Sequence, residues 1–252
     1  MAKKNKKSRT IPLRAVNNVV HKAFVEDMSQ SWHPLDDEID GNRDKKYVKN
    51  VQPRSPGQKI LMEAINAHNL TLAIGPAGTG KTYLAISAAV EALEKGRIER
   101  IILSRPAMEA GESLGYLPGD MHEKMAPYLR PLYDALGDRM GGKKVRHYIE
   151  EGTIEIAPVG FMRGRTLNNS YVIIDEAQNC TYVQLKMLLS RLGWHSTMIV
   201  TGDPDQSDLL PGISGLAMIA DKLSTRPNIA VVRLANEDIV RHPLVAEMLE
   251  VL

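Results

Sequence analysis

The sequence predicts an α/β domain of three layers with a mostly parallel sheet, and three observations carry that prediction. From Gln52 onward, short apolar runs alternate with amphipathic helical stretches, the rhythm of βαβ units. The runs are rich in Ile and Val, as strands covered on both faces are. The first run passes directly into a glycine-rich turn and a helix, the setting of a phosphate-binding loop.

Taken in order, the apolar runs place strands at 70–74, 100–104, 153–156, 171–175, 197–201 and 229–234. Between them the pattern predicts a helix over 56–67, opened by a proline in its first turn, and another over 81–95, closed by Gly96. A third spans 182–192 and stops at Gly193, one lies around 122–136 after the turn Gly115 to Asp120, and a last one covers 243–252. No internal repeat or low-complexity tract interrupts the series.

At 252 residues the chain suits one α/β core plus an extension. Residues 1–50 are polar and charged, with apolar spacing for one short helix over 17–28, and the domain is expected over 51–252. A net charge of +2 is too small to mark a nucleic-acid binder by itself. Lys3, Lys4, Lys6, Lys7 and Arg9 make a basic start that reads as a solvated terminus or as a phosphate contact. The single cysteine, Cys180, rules out an intramolecular disulfide and fits a reducing compartment. No run approaches the roughly 18 apolar residues of a membrane span, so no membrane partner is expected and a cytoplasmic location is.

Gly75, Pro76, Ala77, Gly78, Thr79, Gly80, Lys81 and Thr82 match G-x-x-x-x-G-K-[ST]. Glycines let the backbone wrap close to phosphates, while successive N–H groups and a helix N-terminus supply partial positive charge. Lys81 is expected to reach the β- and γ-phosphates of ATP, and the Thr82 hydroxyl to ligate Mg²⁺. The adjacent carboxylates Asp175 and Glu176 end another apolar run, which puts them at the carboxyl edge of the sheet, where open α/β folds bind ligands. Their expected roles differ: Asp175 holds Mg²⁺ through water, and Glu176 polarises the attacking water. Thr201 to Gln206 follow a third run, so Gln206 is placed to sense the γ-phosphate or to orient water. Alone, Gly-Asp-Pro-Asp would read as a turn.

In order, GPAGTGKT, SRPAMEAGESLGYLPGD, FMRGRT, DEAQ and GDPDQ resemble the PhoH-like family of ATPases over about residues 52 to 245. That family is similar to the first motor domain of superfamily 1 helicases, which implies a RecA-like fold. The resemblance implies that Gln58 meets the adenine, its amide able to donate and accept at the base edge. It also implies that Arg241 steadies γ-phosphate charge in the transition state, with a surface ion pair as the other reading. Arg105 and Pro106 correspond to a helicase contact with single-stranded nucleic acid. Arg163 and Arg165 flank a glycine and suit phosphates without base specificity, though all three arginines could instead brace the nucleotide site or a subunit contact.

The resulting expectation is an ATPase coupled to RNA or single-stranded DNA. Its rivals are an ATP-driven regulatory or scaffolding subunit for a nuclease or another protein, and a small-molecule kinase. Paired Asp175 and Glu176 argue for water activation over transfer to a metabolite. Because one motor-like domain leaves one face of the nucleotide uncovered, a homo-oligomer is expected, such as a ring or hexamer that seats ATP between copies.

Overall fold

A computed structural model describes residues 51–106 and 121–240, with the backbone alone for 121–127. The extension 1–50, the turn at 115–120, the helix expected over 243–252 and Arg241 lie outside the described residues. Among the described residues six strands form one sheet, in the spatial order β3-β2-β4-β5-β1-β6. They are β1 (Leu70–Ile74), β2 (Arg100–Arg105), β3 (Ile154–Pro158), β4 (Ser170–Ile174), β5 (Thr197–Gly202) and β6 (Ala230–Arg233). Every pairing among them is parallel. Each strand lies within two residues of its expected bounds, and β3 runs on to Pro158 where the apolar pattern stopped at Ile156.

Helices α1 (Pro56–Ala67), α2 (Lys81–Glu94), α3 (Met121–Met140) and α4 (Gly142–Glu150) cover one face. Their core joins Leu61, Leu84, Leu132 and Val145 to Ala73, Leu103, Ile173 and Ile199 of the strands. Helices α5 (Tyr182–Leu189) and α6 (Leu216–Leu223) cover the other, where Leu185 and Ile219 meet Leu72, Ile102, Val172 and Val200. Along β1 the side chains alternate between these two cores, so LTLAI is buried throughout and reads as one apolar run. Burying both faces of a parallel sheet in this way is the three-layer solution that the alternating pattern predicts.

Local chemistry sets the ends of these elements. The Ser55 hydroxyl accepts from the Gln58 backbone N–H at 3.2 Å and Pro56 occupies the first turn, which fixes the start of α1. Thr181 and Gln184 cap α5 reciprocally, at 3.3 and 2.8 Å. That helix ends at Leu189 and not at 192, because Arg191 N–H turns back to the Leu188 carbonyl and the chain enters a tighter turn. Two helices went unpredicted. In α4 only Val145 and Ile149 are buried among charged neighbours, and α6 is eight residues long behind a loop with two glycines. α4 offers too few apolar positions for the helical period to stand out, and α6 is too short and too uniformly apolar, with six of its eight residues apolar, to show one.

Candidate nucleotide site

β1 lies between β5 and β6, so the turn leaving it meets the carboxyl ends of both neighbours. Gly75 has φ +144°, and a Cβ there would sit 2.4 Å from the Leu234 carbonyl oxygen that follows β6. Only glycine fits so close to that backbone. Gly80 takes φ +82° as the residue before α2 and lets the loop turn directly into the helix. The loop is pinned from behind: Val240 N–H donates to the Gly78 carbonyl at 3.0 Å, and the Thr79 hydroxyl to the Pro76 carbonyl at 2.8 Å. Gln58 completes this bracing. Its amide nitrogen donates to the Thr79 carbonyl at 3.0 Å, and its amide oxygen accepts from Arg54 N–H at 2.8 Å. Gln58 is buried beneath the loop with both amide ends engaged.

Lys81 begins α2 and turns its ammonium into the loop, donating to the Gly75 and Pro76 carbonyls at 2.6 and 2.8 Å. Burial lowers its pKa, and the negative charges of Asp203, Glu176 and Asp175 oppose that fall. One residue on, the Thr82 hydroxyl donates to Asp175 Oδ1 at 2.6 Å, and the Thr201 hydroxyl reaches the same oxygen at 2.7 Å. Register explains this meeting. Ile174 pairs with Val200, so Asp175 and Thr201 leave adjacent strands side by side.

Glu176 adopts φ +52°, a left-handed conformation that an ordinary residue holds only when its surroundings impose it. Two side chains hold its carboxylate. The Gln178 amide nitrogen donates to Glu176 Oε2 at 2.5 Å, while its amide oxygen accepts from Asp203 N–H at 3.0 Å. Arg105, at the end of β2, brings one guanidinium nitrogen to 3.4 Å from Glu176 Oε1 and another to 3.7 Å from Asp175 Oδ2. Sequence reasoning gave no role to Gln178, Thr201 or Asp203, although all three stand inside motifs it singled out.

These groups line a cleft of about 330 Å³ that includes Ala77, Gly78, Lys81, Thr82, Asp175, Glu176, Asp203 and Gln206. Gln206 stands exposed at its mouth, with its N–H on the Asp203 carbonyl at 3.0 Å. The residues fit a nucleoside triphosphate with a divalent ion. A glycine loop ends in a helix N-terminus beside a buried lysine, and a hydroxyl and a carboxylate already touch where such an ion would join them.

The remaining candidates separate. Pro106 is buried. Arg163 follows a single 3₁₀ turn, Val159–Met162, and is exposed. Arg165 folds back along β3 and forks onto Glu155 at 2.5 and 2.7 Å, a paired contact that raises its already high pKa. No sequence pattern linked those two residues, which stand ten apart. Among the described residues no helix is long and apolar enough to cross a membrane.

A parallel sheet with a phosphate-binding loop after β1 and paired acids after β4 defines a P-loop NTPase domain. The chain belongs to the family described as PhoH-like protein, whose model matches residues 50–252. It is 54% identical over 203 residues to the PhoH-like protein of Bacillus subtilis, covering 80% of this chain and 64% of that protein. It is 50% identical over 203 residues to that of Mycobacterium tuberculosis, with 80% and 58% covered. Against Protein PhoH of Escherichia coli the figures are 43% over 205 residues, 80% and 58%. The chain thus spans about three fifths of the length of these curated relatives. Among solved structures it resembles the SWI2/SNF2 ATPase core of Sulfolobus solfataricus in complex with dsDNA. That likeness has a TM-score of 0.45 and 15% identity, and covers 75% of this chain and 46% of that one. It also resembles the UvsW helicase of bacteriophage T4, with a TM-score of 0.44 and 12% identity, covering 85% and 67%.

Proposed function

We propose that this chain hydrolyses ATP with Mg²⁺ and couples hydrolysis to the binding of RNA or single-stranded DNA. The observation that carries the reading is the contact of Thr82 with Asp175 at 2.6 Å, with Glu176 next in sequence and lining the same cleft. When bound, the divalent ion supplies charge neutralisation at the β- and γ-phosphate oxygens. The chain does the rest. Backbone N–H groups of 78–82 hold the phosphates, and Lys81 exchanges the loop carbonyls for phosphate oxygens. Glu176 takes a proton from the attacking water, with its carboxylate oriented by Gln178 and Arg105. Gln206 at the cleft mouth is positioned to orient that water.

Coupling to a strand is supported by Arg105, which stands at the edge of the cleft and contacts both acids, and by the exposed Arg163. A second copy of the chain is the proposed cover for the nucleotide, because Ala77, Gly78 and Gln206 are exposed along one side of the cleft. A ring would let a neighbour supply an arginine there, Arg241 among them. Phosphate release should require Mg²⁺, stop with EDTA and rise with oligo(U) or oligo(dT). Hydrolysis that ignores both strands would instead favour the regulatory subunit of a nuclease or other protein. Sedimentation across concentration tests assembly, and a fully active monomer would remove the ring.

A further inference from the structure

Two arginines near the carboxyl edge hold carboxylates in different ways. Arg165 grips Glu155 with two short contacts, the one at 2.7 Å within the range of charge-assisted N–H···O bonds. Arg105 instead spans two acids, at 3.4 Å to Glu176 and 3.7 Å to Asp175, both longer than such bonds. Its side chain is 20% exposed, against 21% for Arg165, so the two differ in how tightly they are held and not in access to solvent. A loosely shared guanidinium on a partly exposed side chain can change partners at lower cost than a forked pair can.

We propose that Arg105 is the positioning residue that links the nucleotide to the strand, shared between the acid pair Asp175 and Glu176 and a backbone phosphate. This rests on the strand-coupled ATPase reading above. Asp175 attracts Arg105 less once its charge is shared with a divalent cation, so the guanidinium turns more readily to a phosphate outside the cleft. By linkage the reverse holds as well: a strand phosphate that draws on Arg105 loosens its hold on Glu176 and leaves that carboxylate to Gln178. Gln178 is suited to keep it in place, since its other amide end is fixed by Asp203 N–H at 3.0 Å. Arg105 therefore does not touch the reacting atoms. It acts through Glu176.

The test measures affinity as well as turnover. Fluorescence anisotropy with labelled oligo(U) gives the strand Kd of the full chain, with and without Mg²⁺ and β,γ-imido-ATP, and the ratio of the two is the coupling. Wild type should show a ratio of roughly 5 or more, the lower end of measured couplings. In Arg105→Gln the ratio should fall to within about twofold of 1, and oligo(U) should no longer stimulate kcat. The loss of strand affinity itself should stay within about tenfold, one contact's worth. Arg105→Lys keeps the charge but cannot span two acids, so it should bind the strand and still lose the coupling; it carries the test if Arg105→Gln does not fold. A wild-type ratio retained in either variant overturns the proposal. So does a wild type that binds the strand with a ratio of 1, in which case strand binding stands and the relay falls. A wild type that binds no strand at low salt removes the strand reading, and the relay with it.

Discussion

The centre of the carboxyl edge, where β1, β4 and β5 end, is built differently from its flank at β2 and β3. At the centre, main-chain geometry places the chemistry: positive-φ glycines, a helix start and strand register bring Lys81, Thr82, Asp175 and Thr201 together. At the flank the work falls to long arginine side chains, and their partners decide what each can do. Arg105 is shared between two acids, Arg165 is committed to Glu155, and Arg163 is exposed. The centre is assembled from contiguous motifs that strand ends deliver, whereas the flank depends on which long side chains meet, as Arg165 and Glu155 do from ten residues apart.

Damage to the centre should give the largest effects. Glu176→Gln should retain ATP binding and lose about 10² to 10⁴ in kcat, the usual contribution of a general base, whereas Lys81→Ala should lose binding and turnover together. Nucleotide titration beside phosphate release separates the two, and wild-type hydrolysis by Glu176→Gln would show that another group activates water. On the flank, Arg165→Ala should leave that machinery intact and cost stability. Glu155 is buried on β3, and losing the forked guanidinium removes both of these contacts to a buried carboxylate, at about 3 kcal/mol. Urea unfolding measures it. A loss under about 1 kcal/mol would mean that the pair adds no more than a surface bridge does.

These contrasts follow what was legible. The loop at 75–82 and the acids 175–176 could be read because each is a contiguous motif at the end of an apolar run, and the strands because burial on both faces makes them uniformly apolar. Gln178 stood in plain view in its motif, yet its role depends on Asp203, which is brought close only by the pairing of β4 with β5. Glu155 sits inside a strand legible from its apolar neighbours alone; the guanidinium that forks onto it turns back from the loop beyond. Gln58 has contacts that sequence did not show: besides the adenine role the resemblance implies, both ends of its amide brace the loop.

Gln178 gives a smaller effect that joins the two regions. Gln178→Met preserves length and removes both amide contacts, leaving Glu176 to Arg105 and a left-handed backbone without its near partner. Turnover should fall about tenfold with the KM for ATP within about twofold, as expected when a base is misaligned by a fraction of an ångström while phosphate binding is untouched. A KM that rises in step with the fall in kcat would place Gln178 in loop packing instead.

The smallest effect, and the sharpest control, belongs to Arg163. It stands two residues from Arg165 across a glycine, so sequence offers no ground for treating the two differently. The structure does: Arg163 is exposed beyond the turn at Val159–Met162, while Arg165 is half-buried on Glu155. Arg163→Ala should therefore change unfolding free energy by less than about 0.5 kcal/mol, the range of surface substitutions. If a strand passes over this flank, the same change should weaken binding evenly across base sequences and lower the slope of log K against log salt by roughly one contact, about 0.7 for a single strand. Kd measured at several salt concentrations with oligo(U) and oligo(dT) reads that slope. An unchanged slope, with stability also unchanged, would take Arg163 off the strand path and leave the proposed phosphate contact on this flank to Arg105.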